Sequence, residues 1–317
     1  MTRVMDLVAA SSTDPYSNAR LRGIVSAMAT PLRDDGGIDV AGVGRLVRFL
    51  LESGVNGLFP LGSTGEGVLL TERNRRQMAE AVVKEAAGKV PVIVHVGAFR
   101  GETVISLAKH AKRIGADGIA VIPPGYYTLD EEALYRYFSR IAEAVGPFPI
   151  YLYNIPANAK NWIRTPLFLR LAEEYPFIVG MKESSMDFSV YCEFVRSAAP
   201  HHVKLIGNDD QILPALAIGG DGAISAGSTA VPEPFVALYR AFRKGDLAEA
   251  GEWQNICSMV KKMLIRDCPV APYKKLLSLR GIMSDRVAEP LRQLTEREFA
   301  ELKAALNKLR EKGVSMI

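Results

Sequence analysis

A lysine at the end of an apolar run is the first residue in this sequence that could act as a nucleophile. In Ile178-Val179-Gly180-Met181-Lys182-Glu183-Ser184, four apolar or glycine residues lead directly into Lys182. Runs of this kind form strands buried on both faces in parallel sheets. A buried amine is costly as a cation, so its pKa is expected to fall, and the neutral amine attacks carbonyl carbon to form a Schiff base. At the ordinary pKa of about 10.4 only roughly 0.1% of a lysine is neutral at about pH 7.4, and a fall of about three units makes about half of it nucleophilic. The segment taken alone fits a lysine that snorkels to solvent better, so its surroundings must decide.

Four other stretches carry groups that suit carbonyl chemistry. Leu61-Gly62-Ser63-Thr64-Gly65-Glu66-Gly67 sets three glycines around two hydroxyls. Such a loop turns backbone N–H groups toward an anion, a carboxylate or phosphate, unless it is only a flexible connection. It lacks the Gly-Lys-Ser/Thr ending of a nucleotide loop. Pro123-Pro124-Gly125-Tyr126-Tyr127 and Tyr151-Leu152-Tyr153-Asn154-Ile155-Pro156 bring phenols, either as core residues with wet hydroxyls or as a set at one rim. Gly207-Asn208-Asp209-Asp210 and Ala226-Gly227-Ser228-Thr229 add carboxylates, an amide and hydroxyls suited to a polyol. Asp209 also fits a helix cap.

The elements that must position these groups alternate in period. Eight apolar runs read as strands: 23–28, 55–60, 90–96, 118–122, 149–153, 177–182, 203–206 and 222–226. Between them lie helix-length amphipathic segments at 39–53, 71–87, 101–114, 130–144, 165–175, 187–199, 209–218 and 232–244. Thr71, Asp130 and Thr165 are the expected helix-opening residues. Eight strand–helix units argue for an α/β fold of the (β/α)8 barrel type, with chemistry at the carboxyl ends of the strands. An open doubly wound sheet would want a Gly-x-Gly-x-x-Gly turn after an early strand, and none is present. Strands stop after about residue 245, and 246–266, 270–281 and 294–312 read as three further helices. The expected organisation is a loose N-terminal arm (1–21), a barrel (22–245) and a C-terminal three-helix domain (246–317).

Composition narrows the partners. The chain has 317 residues, and its net charge of +4 comes from 39 basic and 35 acidic residues, with no basic block interleaved with aromatics. Nucleic acid is therefore not an expected partner. Cys192, Cys257 and Cys268 are too few and too irregular for a disulfide framework or a zinc site, so a reducing cytoplasm is the expected location. No run of about 18 apolar residues suggests a membrane span, and the N-terminus lacks an export signal's apolar core.

Four motifs in order, Gly62-Ser63-Thr64-Gly65-Glu66, Tyr153-Asn154-Ile155-Pro156, Gly180-Met181-Lys182-Glu183 and Gly219-Gly220-Asp221-Gly222, resemble the dihydrodipicolinate synthase / N-acetylneuraminate lyase family over about 22–310. The resemblance implies a metal-free class I lyase or aldolase acting on pyruvate and an aldehyde, with no cofactor beyond a Schiff base on Lys182. It implies Tyr153 as acid/base, Ser63 and Thr64 as holders of the pyruvate carboxylate, and Tyr126 crossing a subunit interface. A homo-oligomer follows, a dimer or a tetrameric dimer of dimers. It further places Gly62, Ser184, Gly207, Asp209, Asp210, Ile224 and Ser228 at substrate-binding positions, with Asn158 beside them.

Two departures bear on the branch. Lysine-biosynthetic synthases of this family usually carry arginine where Asn158 stands and threonine where Ser63 stands. Lys160 offers only a point charge in place of the bidentate fork. Ser63, Asp209, Asp210, Ser228 and Ser184 instead resemble sugar-hydroxyl positions in sialic-acid lyases and 2-keto-3-deoxy sugar acid aldolases. The expected activity is thus a keto-acid sugar aldolase, with the dihydrodipicolinate synthase reaction second. A phosphosugar or flavin barrel is disfavoured because the aspartates beside Gly207 would repel phosphate. A keto-acid-binding protein on a retired enzyme would be expected to lose the lysine or a tyrosine, and both are kept.

Overall fold

The computed structural model describes Tyr16, residues 19–311 and Val314. Its eight strands are β1 (Gly23–Ala27), β2 (Gly57–Phe59), β3 (Ile93–His95), β4 (Gly118–Val121), β5 (Ile150–Asn154), β6 (Ile178–Glu183), β7 (Val203–Ile206) and β8 (Gly222–Ser225). All pair in parallel, in the order β2-β1-β8-β7-β6-β5-β4-β3. The seam between β2 and β3 is closed by a Leu58–Val92 bridge, with Leu58 N donating to Pro91 O and His95 N to Pro60 O. The two prolines have no N–H to give, so this seam is the sparsest of the eight.

Side chains alternate across the strand ring. Val25, Phe59, Ile93, Tyr151, Tyr153, Leu205 and Ile224 fill its interior and form one apolar cluster. A second cluster lies between the ring and the helices. Tyr151 closes one end: its hydroxyl donates to Ala19 O at 2.5 Å and accepts from Leu21 N at 3.0 Å. Ala19 and Leu21 are buried, so the last residues of the expected loose arm are pinned. The rest of that arm lies outside the described residues, apart from Tyr16 and Arg20.

The helices around the barrel are α1 (Val40–Ser53), α2 (Glu72–Ala86), α3 (Gly101–Arg113), α4 (Glu131–Val145), α5 (Pro156–Ala159), α6 (Thr165–Glu174), α7 (Phe188–Ser197), α8 (Ile212–Ala217) and α9 (Pro232–Lys244). Thr71 and Asp130 cap α2 and α4 by accepting from Asn74 N and Ala133 N. Thr165 does not cap: it is the first residue of α6, after Arg164, and its hydroxyl is buried without a hydrogen-bond partner. The expected helix 209–218 is a 3-10 turn over Asp209–Gln211 followed by α8. Pro214 is tolerated only in a first turn, so the α-helix begins at Ile212. The short α5 was not foreseen. Gly245, in the left-handed region at φ 81°, ends α9. Then α10 (Leu247–Leu264), α11 (Ala271–Leu279) and α12 (Glu296–Glu311) follow, with buried residues that join the outer apolar cluster. No helix among the described residues is long and apolar enough to cross a membrane.

Candidate active site

Strand register brings the lysine and the tyrosine together. Tyr153 on β5 pairs with Lys182 on β6, and Asn154 pairs with Glu183. Alternation turns the first pair to the barrel interior and the second away from it. Lys182 is 5% exposed, its Nζ 4.1 Å from the Tyr153 ring centroid and 5.0 Å from that of Phe59. Among the described residues, no carboxylate lies within ion-pair distance of it. The neighbouring loop must yield to the lysine chain: a Cβ on Gly207 would sit 2.9 Å from Lys182 Cε and 1.8 Å from Ser184 Oγ. Behind the pair, Asn154 Nδ2 donates to Glu183 Oε2 at 2.6 Å while its Oδ1 accepts from Ile163 N. Burial pushes the Glu183 carboxyl up, against the hydrogen bonds from Asn154 and Ser185. Asn154 and Glu183 thus lock the loops that follow Tyr153 and Lys182.

In the glycine loop, Ser63 is exposed and Thr64 half-buried. Neither backbone N–H donates to a backbone carbonyl among the described residues, which leaves two donors for an anion. Gly67 is required by packing, since a Cβ there would lie 1.8 Å from Leu61 O. Glu66, at φ 55°, points away into the protein and forms a fully buried ion pair with Lys274 of α11. Glu66 Oε1 also accepts from Ala288 N at 2.6 Å, and Lys274 Nζ donates to Arg286 O at 2.7 Å. Burial pushes the Lys274 ammonium down. The C-terminal helices therefore hold the loop that carries Ser63 and Thr64. Sequence reasoning missed Lys274, because its partner is remote in the chain.

It also missed His95. The side chain follows Ile93 by two residues and so enters the same interior, where its ring stands edge-on to Tyr153 at 6.0 Å and tilted to Phe59 at 6.1 Å. Leu61 O only accepts, so His95 Nδ1 carries the proton of their 2.9 Å bond. Burial, then the charges of Arg75 and Lys182, lower the His95 pKa to about 3, which keeps the ring neutral. Arg75, itself lowered to about 10 by burial, donates to the carbonyls of His95 and Gly97, both at 2.9 Å. A histidine inside an alternating apolar strand was the available signal.

The remaining expected residues divide. Asn158 and Gly62 line a cavity with Ser63. Ile224 lies in the barrel interior. Asp209 is buried and its Oδ2 accepts from Gly227 N at 2.9 Å, fastening the loops after β7 and β8; burial raises its carboxyl. The cap of that turn is Asn208, which accepts from Asp210 N. Asp210 pairs with Lys261 of α10 at 2.5 Å, and the fully buried Ser228 hydroxyl donates back to Ser225 O at 3.1 Å. Neither lines the cavity. Ser184 Oγ is buried without a hydrogen-bond partner, while the Asp209 carboxyl also meets the Ser225 side chain.

The three phenols do not converge within one chain. Tyr126 is 79% exposed, at φ 79°, and packs edge-on against Tyr127 with centroids 4.9 Å apart. Asn161 fixes their loop by donating to Pro124 O and Tyr127 O and accepting from Leu129 N. Lys160 caps α5 at φ 62° and is exposed.

The cavity measures about 300 Å³. His95 forms part of its wall, and the rings of Tyr153 and Phe59 lie behind His95, with Lys182 against both. Among the described residues, no group of three or more His, Cys, Asp or Glu side chains is placed to hold a metal ion.

Residues 20–309 match the Dihydrodipicolinate synthetase family. The chain is 36% identical over 291 residues to a 4-hydroxy-tetrahydrodipicolinate synthase from Methanopyrus kandleri, covering 92% of this chain and 97% of that one. It is similar to YagE of Escherichia coli K12, described as a putative 2-dehydro-3-deoxy-D-gluconate aldolase, at 35% identity over 298 residues, 92% of this chain and 98% of YagE. The structure of YagE with pyruvate superposes with a TM-score of 0.88 at 33% identity, covering 92% and 99% of the two chains. A catalytic-lysine mutant of Ruminococcus gnavus sialic acid aldolase superposes at 0.87 with 29% identity, covering 93% and 97%.

Proposed function

Because this chain belongs to the dihydrodipicolinate synthetase family, and so to a family of pyruvate-dependent carbon–carbon lyases, we propose that Lys182 is its Schiff-base lysine and Tyr153 its proton carrier. The observation that carries this reading is the buried Tyr153–Lys182 pair, with the free amides of Ser63 and Thr64 at the same end of the barrel. The Lys182 amine adds to the keto carbon of pyruvate and water leaves. The resulting iminium draws electrons from the adjacent methyl group, which loses a proton to give an enamine. Tyr153 takes up and returns protons, with the Ser63 hydroxyl as relay. The Ser63 and Thr64 amides hold the pyruvate carboxylate. The enamine carbon then adds to an aldehyde, or the reverse cleavage occurs. Tyr126, exposed in one chain, completes the relay from a second copy in a dimer or a dimer of dimers.

The finer assignment is that the carbonyl partner lacks a second carboxylate. It rests on Asn158, which lines the cavity where a bidentate arginine would grip aspartate semialdehyde. Partners that meet this condition include the aldehydes released from a 2-keto-3-deoxy sugar acid or N-acetylneuraminate. The synthase reaction, with Lys160 as clamp, stays second, and an inactive keto-acid-binding protein stays remote. The test is exchange of the pyruvate methyl protons with deuterium, followed by NMR. The protein should catalyse it and Lys182→Ala should not; equal exchange by both overturns the reading.

A further inference from the structure

We infer that the carbonyl partner bound beside the pyruvate adduct has an apolar body, aromatic or branched aliphatic. This rests on the Schiff-base reading above and narrows it. The cavity that meets the His95 wall is lined by hydrocarbon from three separate parts of the chain. Val68 and Leu69 come from the loop after β2, Ile122 and Ile155 from the ends of β4 and β5, and Val270 and Leu291 from the C-terminal segment. Few polar atoms on its wall are left to a ligand. Glu66 is spent on Lys274 and Ala288 N. His95 Nδ1 is spent on Leu61 O, and its Nε2 is shut from solvent beside Gly97. The Ser63 hydroxyl and the Asn158 amide remain.

A polyol placed here would bury most of its hydroxyls without partners, which is unfavourable. An aldehyde with a second carboxylate would meet no arginine. A hydrocarbon body displaces water from apolar wall instead, as most small-molecule pockets of this size do. Val270 strengthens the case, because it is a β-branched residue held at φ 72°, a conformation such residues rarely adopt. That conformation sits where its side chain forms cavity wall.

The chemistry balances without a further reactant. The enamine carbon of the Lys182–pyruvate adduct forms the new carbon–carbon bond to the aldehyde carbon, and the aldehyde oxygen takes a proton. Water then hydrolyses the iminium, which frees the Lys182 amine and a 4-hydroxy-2-oxo acid with an apolar tail.

The experiment measures kcat/KM of the full chain for aldol formation from pyruvate with benzaldehyde, 3-methylbutanal, D-glyceraldehyde and aspartate semialdehyde. One of the first two should exceed both of the others by about tenfold or more, the scale on which a hydrophobic pocket discriminates. Leu291→Asn and Val68→Asn, each checked for folding by thermal melting, should lower the ratio of the better apolar aldehyde to D-glyceraldehyde by about tenfold. Preference for D-glyceraldehyde or aspartate semialdehyde, or a ratio unmoved in both folded variants, overturns the inference. If borohydride still traps pyruvate on Lys182 in that event, the Schiff-base reading stands and only the partner class is wrong. If nothing is trapped, the fault lies in the Schiff-base reading itself.

Discussion

Tyr153 and Lys182 are register partners on adjacent strands, and the lysine Nζ stands 4.1 Å from the tyrosine ring centroid. Their outward neighbours Asn154 and Glu183 hydrogen-bond to each other, so the pair is held by main chain on one side and by a buried polar contact on the other. Tyr153→Phe keeps the ring but removes the proposed proton carrier. It should lower kcat by about 10²- to 10⁴-fold, the usual yield of general acid–base catalysis, while pyruvate still forms an adduct detectable by mass spectrometry. An unchanged kcat would remove Tyr153 from the mechanism.

The Glu66–Lys274 pair joins the glycine loop of Ser63 and Thr64 to the C-terminal helices with both side chains fully buried. Removing one partner leaves an uncompensated charge, so Lys274→Met should cost about 3–5 kcal/mol in chemical denaturation. The double variant with Glu66→Gln should regain part of that loss. Additive losses would mean that the two residues act independently.

His95 makes a signed prediction about pH. Its folded pKa is about 3, against about 6.5 in an unfolded chain. The unfolded state therefore binds the proton first, and the stability associated with neutral His95 is present above about pH 6.5 and drains away as pH falls toward 3. A folded His95→Gln variant should lose less stability than the wild type across that window, by up to about 1.4 kcal/mol per pH unit. Asp209 and Glu183, whose carboxyls are raised by burial, act with the opposite sign. The difference between wild type and variant is accordingly the quantity to read, and parallel curves would place His95 in a wetter setting.

Asn158→Arg restores a charged fork on the cavity wall. A charge-assisted hydrogen bond contributes about 1.5–3 kcal/mol, so kcat/KM for aspartate semialdehyde should rise by roughly ten- to a hundredfold. No gain would show that another residue, Lys160 first, already serves the carboxylate.

Much of this was legible in the sequence, for reasons that lie in its periodicity. Apolar runs with cap and turn residues between them gave eight strands, and the end of β7 is where its run ends, at Ile206. Lys182 and Tyr153 were legible because each ends such a run. The contacts of Asp209, Asp210 and Ser228 were not legible, because a polar residue near a strand end says nothing about where it points. Asp210 finds Lys261 and Ser228 finds Ser225 O only once the loops are folded. His95 was hidden in a run that reads as apolar, and Glu66 was seen only as part of a motif. Pro214, visible in the sequence, should have shortened the expected helix 209–218.

The measurement that bears most directly on the central claim is reduction of the protein with borohydride in the presence of pyruvate, followed by peptide mass spectrometry. The account predicts a reduced three-carbon adduct on Lys182, absent without pyruvate, and formed equally after treatment with a chelator. An adduct on another lysine, or none on folded protein, would contradict it.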